Sequence, residues 1–427
     1  MKILHLTVHL GGGAGKAITG ILKKEDIVIL LEKPEKDYYV KIAEQRVAEL
    51  LIAPSEDVLT KKIKQADIVL INWWGHPLMT GFLAQFPKIA CRLVIWNHVN
   101  GCVYPYLSYD FLNEFDQIMF TTEFSYSNSL WTKCQKKEII DKSVLVYGMG
   151  EFQPKLLEPK QNYQRTEKFK VGYIGTLNYA KMNPDFLTYC EIAAKEIPEI
   201  CFYLVGDLSE KVRKDIEKSS ISDKFEVVGY AKDTESWYKQ FDVLGYLLNN
   251  YNYATTENVL LEAMAYGIPI VVLNNEVEKQ IIYDSVNGFV VNTPEEYAEC
   301  LKRLYTEEKI RKQIGKQARD YVCKEYDNSH NNKRFNECMQ KCITQKKKIH
   351  DFTSILGKTP YEYFKSFLSQ VEQKQLEKIC ISRNNEECIL PNVFTQESKG
   401  SIFHYCKYFK DDENLGKIKD YLENKNK

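Results

Sequence analysis

The stretch from Val243 to Leu273 constrains the fold more than any other part of this chain. An apolar run, Val243 to Leu248, reads as a buried strand. A polar loop follows, then Thr255-Thr256-Glu257-Asn258-Val259-Leu260-Leu261-Glu262-Ala263-Met264-Ala265-Tyr266-Gly267-Ile268-Pro269, then a second apolar run, Ile270 to Leu273. Val259, Leu260, Ala263 and Met264 stand at helical spacing. Gly267 ends that helix and Pro269 prevents its continuation. Thr255 and Thr256 are expected to cap it, with Glu257 in the first turn at the positive end of the dipole. Strand, helix, strand at this spacing is a unit of parallel sheet. The helix then starts beyond the carboxyl end of a strand, where open α/β sheets bind anionic phosphates.

The alternation runs through most of the chain. Strands are expected at Ile3–Val8, Ile27–Leu31, Ile68–Ile71, Arg92–Trp96, Gln117–Thr121 and Val144–Val146, with helical patterns such as Lys16–Leu22 and Asp57–Lys64 between them. The polar segment from Glu151 to Lys170, with Pro154 and Pro159, reads as a linker. A second alternating set follows, with strands at Val171–Ile174, Cys201–Val205, Phe225–Val228, Val243–Leu248, Ile270–Leu273 and Gly288–Val291. Its helices fall at Asp185–Glu196, Ser209–Lys218, Glu257–Tyr266 and Pro294–Tyr305, and Glu307 to Lys348 is one long helical stretch. Beyond it, residues 349–427 carry helical patterns at Pro360–Ile379 and Asn414–Glu423, polar text around Arg383-Asn384-Asn385, and an aromatic cluster of Phe403, Tyr405, Tyr408 and Phe409. No catalytic spacing stands out there; packing on the main body is the default reading, with a partner or membrane contact left open.

Composition narrows the function classes. Lys plus Arg and Asp plus Glu are 58 each, so no global basic charge argues for nucleic acid. No apolar run approaches the roughly 18 to 20 residues of a membrane span, and Met1 to Val8 reads as a first strand rather than a secretory signal. The twelve Cys include no Cys-x-x-Cys pair. Cys338 and Cys342, one helical turn apart, are a poor zinc geometry, so reduced and mostly buried thiols are expected.

The Thr255–Val272 text resembles the retaining GT-B glycosyltransferases, the glycosyl transferases group 1 family with two Glu residues separated by seven others. Glu262 falls on the second Glu, in its Leu-Glu-Ala-Met-Ala-x-Gly-x-Pro context; the first falls on Ala254, so this chain is a variant lacking it. The resemblance implies two Rossmann-like domains facing a cleft. Residues 1–160 form the acceptor-side domain, 161–325 the nucleotide-sugar-binding domain, 326–348 a helix packing back on the first, and 349–427 a mostly helical appendage of unknown role.

The same resemblance assigns site residues. Leu10-Gly11-Gly12-Gly13-Ala14-Gly15-Lys16-Ala17 fits neither a Walker A loop nor the Gly-x-Gly-x-x-Gly fingerprint. It is similar to the family's glycine loop, which places Gly12 and Gly13 near the donor diphosphate. His98, in Trp96-Asn97-His98-Val99-Asn100-Gly101, ends a strand; by its own residues it is equally a satisfied structural His, and the family pattern sets it beside the reacting sugar. His76 and His9 are weaker candidates. In Gly175-Thr176-Leu177-Asn178-Tyr179-Ala180-Lys181, Lys181 fits the diphosphate-neutralising Lys, whereas Thr176 replaces an Arg. Thr255, Thr256, Asn258 and Val259 line the donor, Glu262 meets the ribose, and Glu257 takes up the acidic contact missing at Ala254.

The implied activity is metal-independent transfer of a sugar, with retention, from a nucleotide diphosphate sugar to a hydroxyl of a glycan or lipid-linked glycan in polysaccharide biosynthesis. No cofactor is called for. The expected setting is the cytoplasm, with peripheral contact at the inner membrane face left open. Two other readings stay open: a non-catalytic GT-B homologue serving as scaffold for an active transferase, and a nucleotide-sugar epimerase.

Overall fold

The computed structural model of the chain describes residues 1–163, 167–231, 233–381 and 399–425. They form two compact units. Unit 1 comprises Met1–Glu151, Tyr253–Thr256 and Ser329–Lys427; unit 2 comprises Phe152–Asn252 and Glu257–Asn328.

Unit 1 is built on a seven-stranded parallel sheet in the order β3-β2-β1-β4-β5-β6-β7. The strands are β1 (Ile3–Thr7), β2 (Ile27–Leu30), β3 (Glu49–Ile52), β4 (Ile68–Trp73), β5 (Leu93–Asn97), β6 (Gln117–Phe120) and β7 (Ser143–Leu145). The helices that alternate with them are α1 (Gly12–Thr19), α2 (Tyr38–Arg46), α3 (Glu56–Gln65), α4 (Pro77–Ala84), α5 (Tyr109–Asn113) and α6 (Lys133–Asp141). Strand β1 is buried at all five positions, because helices cover both faces of a parallel sheet and leave no residue for water. Strand β3 escapes the sequence pattern: it lies at the sheet edge, only partly buried, so its residues Glu49-Leu50-Leu51-Ile52 carry no long apolar signal.

Unit 2 holds a six-stranded parallel sheet in the order β10-β9-β8-β11-β12-β13. Its strands are β8 (Phe169–Ile174), β9 (Ile200–Val205), β10 (Phe225–Gly229), β11 (Val243–Tyr246), β12 (Ile270–Leu273) and β13 (Phe289–Val291). Its helices are α7 (Phe186–Glu196), α8 (Glu210–Lys218), α9 (Glu235–Gln240), α10 (Asn258–Ala265), α11 (Glu278–Ile281), α12 (Pro294–Thr306) and α13 (Glu308–Glu325). Both sheets reverse their strand order beside the first strand, between β1 and β4 and between β8 and β11. The loops leaving adjacent strands separate there and open a crevice at the carboxyl ends. Two parallel-sheet, Rossmann-like domains with a helical C-terminal region are the GT-B fold.

Two expectations are corrected. The long helix expected from Glu307 to Lys348 is broken at Tyr326 and Asp327, giving α13 and then α14 (Asn328–Ile343). On α14, Phe335, Cys338, Met339 and Cys342 form one apolar stripe that joins the core under β1, β4 and β5, with Ile3, Leu70, Val94 and Trp96. The two Cys are core residues. The appendage is more broken than its patterns suggest: α15 (Thr353–Leu356), α16 (Pro360–Lys365), α17 (Gln370–Ile381), α18 (Ile402–Tyr408) and α19 (Glu413–Lys425). The Arg383-Asn384-Asn385 text lies outside the described residues. Helices α16 and α18 pack on α4. Gly81 makes this approach close, since a Cβ there meets the Phe409 ring at 3.1 Å. Among the described residues, no helix is long and apolar enough to cross a membrane.

Candidate active site

In unit 2, the candidate groups gather where β8 and β11 end. The loop after β8 is stitched to the chain leaving β11. Asn183 N–H donates to the Leu247 carbonyl (2.9 Å), Asn249 N–H to the Lys181 carbonyl (2.8 Å), and the Asn249 side-chain amide to the Tyr179 carbonyl (2.9 Å). Lys181 is therefore carried on a fixed backbone. Its ammonium lies 3.5 Å from Glu257 Oε2, and the two side chains are 34% and 9% exposed, so the cation reaches solvent while the carboxylate is covered. Tyr246, the last residue of β11, donates its hydroxyl to the same Glu257 oxygen at 2.8 Å. Its ring lies 5.7 Å from the Lys181 ammonium. Gly175 has φ 142°, a conformation that favours glycine, and a Cβ there would stand at ordinary contact distance, 3.8 Å from the Tyr246 hydroxyl and 4.0 Å from Lys181 Nζ.

Glu257 does not occupy the first turn of α10. It is the N-cap, in the left-handed region at φ 41° and ψ 69°, and no side chain caps the helix. Of the two expected Thr caps, Thr256 is engaged elsewhere. Thr256 donates to the Thr121 carbonyl (2.9 Å) and accepts from Gly148 N–H (3.0 Å), both in unit 1. The chain thus passes between the units at the bond joining Thr256 to Glu257. Ala254 is also tied into unit 1, its carbonyl accepting from Asn100 Nδ2 at 3.0 Å. Thr255, Asn258 and Val259 flank this crossing and are partly exposed; Thr176 is exposed in the loop before Lys181. Further along α10, Glu262 Oε2 accepts from the buried Tyr238 hydroxyl at 2.9 Å, which orients its carboxylate.

Glu278 and Tyr173 were missed by sequence reasoning. Glu278 is 1% exposed; its Oε1 accepts from Asn275 Nδ2 at 3.2 Å, and its Oε2 has no hydrogen-bond partner. Burial, then the neighbouring Glu257 carboxylate, raises its pKa to about 7. The Tyr173 hydroxyl is likewise buried without a partner, and its ring lies 5.0 Å from that of Tyr246. Both orphans interact electrostatically with Glu257. Buried polar atoms left unsatisfied are costly, and they concentrate where a site holds something besides the chain itself.

In unit 1, His98 follows β5. Its Nε2 is 3.2 Å from Asn72 Oδ1, and Asn72 is oriented by donating to the Leu6 carbonyl at 3.4 Å, so Nε2 carries the proton. The ring packs at 4.7 Å on Trp96 and 6.2 Å from Trp74. Burial pushes its pKa down to about 3, so the imidazole is neutral at physiological pH. Gly12 and Gly13 lie exposed at the start of α1, which begins one turn earlier than the pattern suggests; a Cβ on Gly12 meets nothing within 4 Å.

A second group surrounds His76. His9, Glu32 and His76 each bring a nitrogen or carboxylate oxygen within 4.8 Å of the others, a spacing that suggests a metal ion. The protonation pattern opposes it. Leu78 N–H donates to His76 Nδ1 at 3.1 Å as the cap of α4, so the neutral ring holds its proton on Nε2, the atom 3.7 Å from Glu32 Oε1. A cation at Nε2 displaces that proton and leaves two N–H groups opposed.

Residues 155–321 match the family model described as Glycosyl transferases group 1. Over this segment the chain is similar to that family. The match covers unit 2 and its Lys181, Glu257 and Glu262. The chain is also 30% identical to YtcC of Bacillus subtilis (strain 168), described as a proposed glycosyltransferase. That similarity spans 90 residues, 20% of this chain and 22% of that protein. It is 21% identical over 324 residues to an uncharacterised 41.2 kDa protein in the cps region of Klebsiella pneumoniae, covering 68% of this chain and 86% of that one. Among solved structures it is similar to Anabaena Alr3699/HepE in complex with UDP and glucose, with a TM-score of 0.63 at 15% identity over 80% of this chain and 99% of that one. The segment similar to the group 1 family thus lies in a GT-B fold, with Lys181 in the loop after β8 and Glu262 on α10.

Proposed function

We propose that this protein is a GT-B glycosyltransferase that moves a sugar from a nucleoside diphosphate sugar to a hydroxyl acceptor with retention of configuration. The observation that carries the reading is the Lys181–Glu257–Tyr246 set at the strand-order reversal of a group 1 domain. Lys181 and the uncapped start of α10 supply positive potential for the charge that collects on a departing diphosphate, the term that dominates such transfers. Glu262, oriented by Tyr238, is suited to accept from ribose hydroxyls. Glu257 replaces the acidic contact absent at Ala254, and the neutral His98 offers the hydrogen-bonding imidazole of the family pattern. HepE binds UDP and glucose in its solved complex, which makes UDP-glucose the first donor to try.

Calorimetric titration of UDP and UDP-glucose, followed by UDP release with and without EDTA, tests the proposal. Binding with slow acceptor-free hydrolysis that survives chelation supports it. Hydrolysis that requires added Mg²⁺ or Mn²⁺ moves the diphosphate chemistry from Lys181 to a metal. A second reading, a non-catalytic nucleotide binder, is favoured by Ala254 and by the exposed Thr176 in place of a cation. Binding without any turnover selects it.

A further inference from the structure

The appendage has so far been given no role. Helix α18 brings two of its side chains into the His76 group of unit 1. Tyr408 donates its hydroxyl to Glu32 Oε2 at 2.7 Å. The His404 ring stands edge-on to His76 at 4.6 Å, and Tyr408 lies 5.0 Å from the same ring. Gly400 N–H donates to His404 Nδ1 at 2.9 Å, which sets the His404 proton on Nε2. His9 also stands by His76, 5.9 Å away, with the Trp74 ring 5.4 Å from His9. The Trp74 indole N–H is buried and has no partner. Of these six side chains only His76 is fully buried; the other five are partly exposed. His9, Glu32, Trp74 and His76 follow β1, β2 and β4, at the carboxyl ends on the side of the strand-order reversal of this sheet.

The chemistry of this group is specific. Its three imidazoles are neutral: burial holds His9 and His404 at about 4 and His76 at about 2. In His76 and His404 the Nδ1 acceptor is taken by a backbone N–H, so each offers its Nε2–H as a donor, and His9 adds one donor and one acceptor. Glu32 accepts, the Trp74 N–H donates, and Trp74 and Tyr408 add apolar ring faces. Lys399 interacts with both Glu35 and Lys36, and its charge acts on all three imidazoles. A phosphate or other anion meets a carboxylate here and no cationic imidazole. A neutral sugar ring, with C–H faces for the aromatic rings and a rim of hydroxyls for mixed donors and acceptors, matches every element.

We propose that these residues form a saccharide-binding subsite on unit 1, and that His404 and Tyr408 of the appendage determine which sugar it takes. This rests on the glycosyltransferase reading and names the acceptor of that reaction as a neutral sugar. The appendage is then a specificity element.

The test uses the full-length protein and four probes: the methyl glycosides of α-D-glucose, α-D-galactose, N-acetyl-α-D-glucosamine and α-L-rhamnose. Binding is followed by ligand-observed saturation-transfer NMR and by tryptophan fluorescence. At least one glycoside should saturate in the millimolar range. Tyr408→Phe, which keeps the ring, and His404→Ala should each weaken it by about fivefold or more, the loss expected for a hydrogen bond worth roughly 1 kcal/mol. UDP affinity should stay unchanged in both. Where His404→Ala lowers the melting temperature, His404→Gln replaces it. No saturation by any probe overturns the subsite; equal affinity in wild type and variants overturns the role of the appendage. Loss of UDP binding by the unmodified protein, with glycoside binding intact, instead counts against the glycosyltransferase reading.

Discussion

Glu257 adopts φ 41°, a conformation that costs an L side chain about 1–2 kcal/mol relative to the right-handed region. Its carboxylate meets Tyr246 and Lys181 from that position, and strain held in place by such contacts marks functional positions more often than neutral ones. Glu257→Gln keeps the shape and removes the charge. If the carboxylate acts in the transition state, UDP-sugar turnover should fall about tenfold or more while UDP affinity changes by less than about threefold. Equal losses in both would make Glu257 a ground-state contact only. Glu278 supports a different prediction. Its folded pKa of about 7 lies above the ordinary carboxyl value of 4.5, so the folded state holds the extra proton between those values. Stability contributed at low pH is then lost as pH rises through 7, by up to on the order of 3 kcal/mol. Glu278→Gln should melt higher than wild type at pH 8, with the gap closing by pH 5. A pH-independent gap would place an ordinary carboxylate there. The sequence disclosed Lys181 and Glu257 through the family text. It concealed Tyr246 inside an apolar run read as core, and Glu278 inside Asn274-Asn275-Glu276-Val277-Glu278-Lys279, where one buried acid looks like its solvated neighbours.

Among the elements, strands and long helices were legible because burial on both sheet faces imposes apolar runs, and α14 shows the apolar stripe openly. The crossing segment Tyr253–Thr256 was not. Its Thr residues look like helix caps, yet Thr256 spends its hydroxyl on two backbone groups of unit 1, because an exposed helix start competes poorly with buried groups that would otherwise go unpaired. Thr256→Val is nearly isosteric and deletes both bonds. It should destabilise the protein by roughly 1–3 kcal/mol through the loss of both hydrogen bonds, as read by urea denaturation. UDP affinity should hold within about twofold, since a loss near 1.4 kcal/mol is needed for tenfold. A stable variant with weakened UDP binding would return Thr256 to the donor-contact role that the family text implies.

For the whole molecule, the distribution of titrating groups sets a direction for acid stability. Unit 1 holds four neutral imidazoles: His98 at about 3, His9 and His404 at about 4, and His76 at about 2. Unfolding returns each to about 6.5. Below that value the unfolded chain binds more protons, so stability is flat above pH 6.5 and falls as pH drops. Each imidazole contributes a slope of up to about 1.4 kcal/mol per pH unit. Glu278 acts in the opposite sense between 4.5 and 7, but it is one group against four and belongs to unit 2. The net expectation is acid lability centred on unit 1. Tryptophan fluorescence is well placed to see it, because Trp73, Trp74, Trp96 and Trp131 lie in unit 1 and Trp237 alone in unit 2. The fluorescence melting temperature should be constant from pH 8 to 7 and fall steeply between pH 6.5 and 5. In His404→Gln the fall should be shallower, since that variant removes one titrating ring and relieves the charge that His76 would meet on protonation. A melting temperature that does not change between pH 7 and 5 would mean that these rings are solvated enough to charge in place, and the hydrogen-bonding surface inferred around His76 would then be cationic below about pH 6.5.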